Sequence, residues 1–188
     1  VMFSKLPILI ETSTEPIISL ADAFRFLRIY TSVEDIETHP EKETVQLLLN
    51  AAISAAETVL NFDIRIRTWE YAGYDFETLL IQKFPFRNIL SVMYTTPEDV
   101  EVEFESYEVI RLSNDTAKIV FSGDFPEVKE ASNAIRVQFE TGFVILPNDI
   151  NLAILLILSK YYDDRSNGKH SFPSAAENLL RPHRKRNF

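Results

Sequence analysis

The hydrophobic period of this chain changes twice, and those two changes constrain its fold more than any motif does. From Ser19 to about Leu60, apolar residues recur every three or four positions. From Ile64 to Thr141 they recur at every second position, and after Leu146-Pro147 the helical spacing returns. A stripe spaced for a helix cannot face a strand's partner, because strand side chains alternate faces at each residue. The pattern predicts an α+β protein: a helical bundle of about four helices, with an antiparallel β-sheet domain inserted in the middle of the bundle's sequence. The expected layout is an extended N-terminal arm over 1–17, a helical core from 18–63 and 147–180, an inserted β domain over 64–146, and a basic C-terminal tail over 181–188.

Local signals set the boundaries. Ser19-Leu20-Ala21-Asp22 reads as a capping box opening the first helix, with Leu20, Ala23, Phe24 and Leu27 on one face. The loop from Thr31 to Pro40 is charged, and a long helix follows, in which Ala51, Ala52, Ser54, Ala55 and Ala56 permit close helix approach. Runs at 64–71, 79–82, 89–95, 100–105, 107–112, 117–121 and 135–139 read as strands, separated by turn sequences such as Thr96-Pro97-Glu98-Asp99 and Ser122-Gly123-Asp124. The run Leu152 to Leu158 is apolar all round, which predicts a helix buried on more than one side, running to about Asp164 and ended by Asn167-Gly168. Ser174-Ala175-Ala176-Glu177 reads as a second capping box, opening a short last helix.

Composition excludes several classes of chemistry. With no cysteine, the chain has no disulfide, thiolate metal site or cysteine nucleophile. Its four glycines stand far apart, so no glycine-rich phosphate loop exists. His39, His170 and His183 are too scattered for a local metal motif. The longest apolar run is far shorter than the roughly 20 residues that a membrane span needs. The expectation is therefore no membrane association, with synthesis in the cytoplasm.

The net charge of −9 is unevenly spread. Arg181, Arg184, Lys185 and Arg186 are concentrated in the last eight residues, and the remaining 180 hold 15 basic against 28 acidic side chains. So acidic a body is a poor holder of nucleic acid, since that affinity comes mainly from neutralising phosphates. The basic tail reads either as a solubilising end or as a peptide that docks on an acidic partner surface or touches phosphates, and its four charges are too few for tight DNA binding alone.

Catalytic or metal-binding constellations are weak. Asp163 and Asp164 are adjacent, and neighbouring helix residues point about 100° apart, so a solvated helix end is the simpler reading. Glu101, Glu103 and Glu105 share a strand face that could hold a hard cation or simply face water. Trp69, Tyr71 and Tyr74 could stack a ligand or pack a core. Ser171 beside His170 forms no triad, and His39 and His183 read as surface residues. No catalytic residue, metal or cofactor is assigned, and an assembly or binding protein is favoured over an enzyme.

The order of segments resembles the head–tail connector (adaptor) family of long-tailed phages, prophages and gene transfer agents. Ile18-Ser19-Leu20-Ala21-Asp22-Ala23 is similar to that family's opening helix, and Leu48 to Thr58 to its second. Thr68-Trp69-Glu70, Phe84 to Tyr94, Tyr107-Glu108-Val109 and Ile135 to Phe143 are similar to its strands. Leu146-Pro147 through Tyr161-Tyr162-Asp163-Asp164-Arg165 is similar to its third helix, and Phe172-Pro173-Ser174 with Leu179 to Arg184 to its ending. No single stretch is specific; the collinear series carries the likeness. The chain departs from the pattern in its longer, more acidic loop at 31–40 and in Thr96-Pro97, where an Asp-Gly turn is usual.

The resemblance implies a structural virion protein at the neck: a ring, usually dodecameric, beneath the portal protein. Such a ring extends the channel through which DNA passes without sequence-specific binding, and it offers a platform to a downstream neck or tail protein. It implies portal binding by Leu179, Leu180, Arg181, Arg184, Lys185 and Arg186. A ring also needs two different contact patches per subunit, and Leu155, Leu158, Tyr161, Tyr162 and Arg165 are candidates for one of them. The alternative within the same setting is a stopper or tail-terminator that binds the tail side and not the portal.

Overall fold

A computed structural model describes residues 6–29, 32–113, 116–164 and 172–185. Among the described residues, the fold is mixed α and β with five α-helices and two antiparallel sheets. The chain forms two compact units, each assembled from two stretches of sequence: Val1–Ser13 with Arg65–Phe143, and Thr14–Ile64 with Val144–Phe188.

In the first unit, one sheet has the strand order β1-β2-β8-β4-β5, formed by Ile8–Thr12, Arg67–Gly73, Ile135–Thr141, Phe86–Thr95 and Glu101–Glu103. The other sheet has the order β3-β7-β6, formed by Leu79–Leu80, Ala117–Phe121 and Tyr107–Arg111. All pairings are antiparallel. Strict alternation in β8 buries Ile135, Val137, Phe139 and Thr141 and turns Arg136, Gln138 and Glu140 outward. The two sheets share one core, in which Trp69, Tyr71, Val92 and Phe139 meet Leu79, Ile81, Ile119 and Phe121. Tyr71 stacks on Phe139 at 5.4 Å between ring centroids. The outward side chains pair across strands: Arg87 with Glu140 at 3.1 Å, Gln138 Nε2 with Glu70 at 2.8 Å, and Arg136 with Glu101 at 2.5 Å.

Gly142 ends β8 with φ +100°. A Cβ at this position would lie 2.3 Å from the Arg65 carbonyl oxygen, so only glycine fits.

In the second unit, α1 spans Leu20–Leu27, α2 Val33–Thr38, α3 Lys42–Leu60, α4 Asn148–Asp163 and α5 Ser174–Leu180. The Ser19 capping box forms: Ser19 Oγ accepts from the Asp22 N–H at 3.0 Å and donates to the Asp22 carboxylate at 2.6 Å. Asn61 closes α3 in the left-handed conformation that asparagine tolerates, its N–H donating to Glu57 O at 2.9 Å. The buried Glu57 carboxylate accepts from the Ile64 N–H at 2.9 Å, which meets part of its need for partners. α4 is central, packing on α1, α3 and α5. It buries Ile150, Ala153, Ile154, Leu155, Ile157 and Leu158, as its apolar run predicts.

Four expectations change. Part of the expected arm is a strand, β1, paired to β2. The charged loop contains a fifth helix, α2, whose Ile36 is buried, which the expected layout of about four helices did not include. The strand expected from Ile64 begins at Arg67. The second capping box does not form: Pro173 stands at the N-cap, Ser174 is already helical, and no side chain caps the end. The expected stop at Asn167-Gly168 lies outside the described residues; α4 ends at Asp163 with Asp164 as its cap.

Candidate assembly surfaces

After α5 the chain makes a 3-10 turn, Arg181–His183. Three contacts hold this segment to the helical unit. Leu180 is fully buried, His183 Nε2 hydrogen-bonds the Asp149 carboxylate in the first turn of α4, and the Lys185 N–H donates to Leu60 O at the end of α3 at 2.9 Å. The hydrogen bond from His183 holds the Asp149 carboxyl below its ordinary pKa, against a smaller opposing effect of burial.

Of the six residues assigned to partner docking, Arg181 and Arg184 are exposed, and Leu179 and Lys185 are half-buried. Leu180 is a correction: its side chain is fully buried in the unit's own core. Arg186 lies outside the described residues.

The α4 candidates divide in the same way. Leu158 is fully buried and serves the internal core, which corrects its assignment to a contact patch. Tyr161 and Tyr162 are half-buried, and the Tyr162 hydroxyl bonds the Glu41 carboxylate. Arg165 lies outside the described residues. Leu155 and Tyr162 do come together, on one wall of a groove of about 750 Å³ between α1 and α4. Leu156, Ser159 and Asn151 share that wall; Asp22, Arg25, Phe26, Leu27 and Arg28 form the other. The Asn151 Oδ1 is buried, with no hydrogen-bond partner among the described residues.

Sequence reasoning missed the α1 wall. Phe26 held the available signal: it is a large aromatic about 110° from the centre of the stripe of Leu20, Ala23, Phe24 and Leu27.

The other constellations do not converge. Asp163 is exposed, Asp164 pairs with Lys160 at 3.4 Å, and Glu101, Glu103 and Glu105 face outward. Among the described residues, no three His, Asp or Glu side chains lie together as a metal site. Trp69 and Tyr71 are core residues, with Trp69 Nε1 donating to Thr141 Oγ1 at 3.0 Å; Tyr74 alone of the three aromatics is exposed. His39 packs edge-on against Phe24 at 5.0 Å. His170 and Ser171 lie outside the described residues. No described helix is long and apolar enough to cross a membrane.

No protein-family model matches the chain, and no curated protein matches it either. Solved structures do. A chain in the virion of a native gene transfer agent particle superposes with a TM-score of 0.72 at 20% identity, over 96% of this chain and 97% of that one. A chain in the neck of the empty particle, computed with C6 symmetry, gives 0.73 at 19% identity over the same shares. One in the neck of the native particle, computed with C12 symmetry, gives 0.67 at 17%. Over nearly its whole length, then, this chain has the fold of chains that stand in gene transfer agent virions and their necks.

Proposed function

We propose that this chain is a structural neck protein of a phage-like particle: a head–tail adaptor that forms a ring under the portal and carries the DNA channel toward the tail. The observation that carries this reading is the end-to-end likeness to neck chains, in both units at once. Matching only one unit would have been a shared module; matching both preserves the whole subunit. Symmetries of C6 and C12 in those necks support a ring of repeated copies. Acidic side chains suit a channel wall that DNA must slide past, because like charge prevents sticking.

In this reading the exposed Arg181 and Arg184, with Lys185 and Arg186, meet acidic groups of the portal. The chain acts by position and charge, and no catalytic step is assigned to it.

The test is the mass of the purified portal ring before and after this chain is added. The expected result is a saturating gain of about one copy per portal subunit, as ring closure requires. Replacing Arg184, Lys185 and Arg186 by glutamate should abolish that gain while the circular dichroism spectrum stays unchanged. No gain with both proteins folded overturns portal docking and points to a stopper or tail-terminator on the tail side.

A further inference from the structure

Contact between copies needs two surfaces that fit each other and point in different directions. The helical unit carries such a pair. One is the α1–α4 groove, with Phe26, Leu27 and Leu156 half-buried in it and Arg28 exposed at its edge. The other is the outer face of α3.

That face is unusual for so charged a chain. From Thr44 to Asn61 the only ionisable residue is Glu57, and Glu57 is buried. The exposed positions Glu43, Leu47, Ala51, Ser54 and Thr58 follow a helical spacing of three and four, so they lie in one stripe. Leu47 is 69% exposed at its start. The two hydroxyls turn back on their own helix: Ser54 Oγ donates to Asn50 O at 3.0 Å and Thr58 Oγ1 to Ser54 O at 2.9 Å. Each hydroxyl proton is thereby used internally, which lowers the cost of drying the stripe.

The buried stripe of α3, including Val45, Leu49, Ala52, Ala56 and Leu60, packs within the unit, against α4 and α1. Its outer stripe therefore points away from the two helices that form the groove. One copy cannot fill its own groove with it; the next copy can. Lengths agree: the stripe from Glu43 to Thr58 spans about 22 Å, and the α4 wall from Asn151 to Asp163 about 18 Å at 1.5 Å per residue.

We infer that the outer face of α3 seats in the α1–α4 groove of the neighbouring copy, and that this head-to-tail contact is what closes the ring. The inference rests on the neck reading above and names the subunit contact within it. Leu47 enters among Phe26, Leu27 and Leu156. Glu43, one turn earlier, meets Arg28 at the rim. The neutral remainder of the stripe passes Asp22 and Asp163 without like-charge repulsion, which an ordinary acidic face of this chain would suffer.

The absence of cysteine makes the contact directly testable. The double variant L47C/S159C and both single variants are produced in cells that make the particle. Purified particles are then treated with a short bismaleimide. The expected result is a ladder of covalent multiples from the double variant and none from either single. A chain present in particles that yields no ladder overturns the contact and leaves the neck reading standing. Dimers from L47C alone also overturn it, because they require a two-fold contact. Wild-type chain missing from the particles overturns the neck reading and the contact with it. As a second check, R28E and E43R should each weaken the ladder about threefold, as a rim ion pair would, and the combined R28E/E43R variant should restore it. A combined variant no better than the singles overturns the Glu43–Arg28 pairing.

Discussion

The two units solve the problem of burial differently. The sheet unit closes on itself: aromatic rings from both sheets fill one core, and several outward charges pair across strands. The helical unit wraps aliphatic side chains around α4 and leaves a groove and a neutral helix face uncovered. An open groove of mixed polar and apolar lining, and an uncharged helix face on another side, are a cost in a monomer that contact with another chain would offset. The contrast teaches that one chain can complete the core of one unit and leave open surface on the other. The sheet unit has its own open surface in the edge strand β1, where Ile8, Leu9 and Ile10 are exposed.

The strongest test of the contrast removes a core residue from each unit. Phe139→Ala should cost about 3–5 kcal/mol and Ile154→Ala about 2–5 kcal/mol. The single tryptophan, Trp69, reports the sheet unit by fluorescence, and ellipticity at 222 nm reports mostly the helices. Phe139→Ala should shift the fluorescence transition more, and Ile154→Ala the ellipticity transition. Identical shifts in both signals from either variant would break the distinction, showing one cooperative molecule.

Gly142→Ala comes next, at about 2 kcal/mol or more, because the added carbon strikes backbone and the residue would be held at positive φ. Urea denaturation checks it, with the fluorescence signal moving first.

Smaller effects sharpen the view of the helix ends. Ser19→Ala should cost about 1 kcal/mol and Ser174→Ala no more than about 0.5 kcal/mol, since only Ser19 makes a capping bond. Equal losses would mean that Ser174 caps its helix in solution.

The smallest effect is pH-dependent. The Asp149 carboxyl is held below its ordinary pKa, so its contribution is present above the unfolded value near 3.9 and is lost as pH falls through the lower folded value. Asp149→Asn should remove part of the acid sensitivity below about pH 4 and cost about 0.5 kcal/mol at neutral pH, since the group is partly exposed. Acid titration of the ellipticity checks both.

Much of this architecture was legible from period alone. The long stripes of α3 and α4 and the strict alternation of β8 each write their burial into consecutive residues. What the sequence hid lacks such a pattern. α2 has six residues and few apolar anchors, so an acidic loop and a short helix look alike. β1 is a strand because β2 offers it an edge, and that edge lies nearly sixty residues away. Ser174 carries the letters of a capping box one position too late, because Pro173 takes the N-cap. For the candidate contacts, residue type suggested Leu155 and Tyr162, which the groove unites. It could not separate them from Leu158, one turn along the same helix, which faces inward.

The interleaving of the two units also sets a timetable for birth on the ribosome. β2 must wait for β8, and α3 for α4, with each partner emerging many tens of residues later. At about 5–20 residues per second, α1 and α3 spend several seconds without the helix that covers them. During that interval the stripe that will become the core of the helical unit is open to chaperones, and to the same stripe on neighbouring nascent chains.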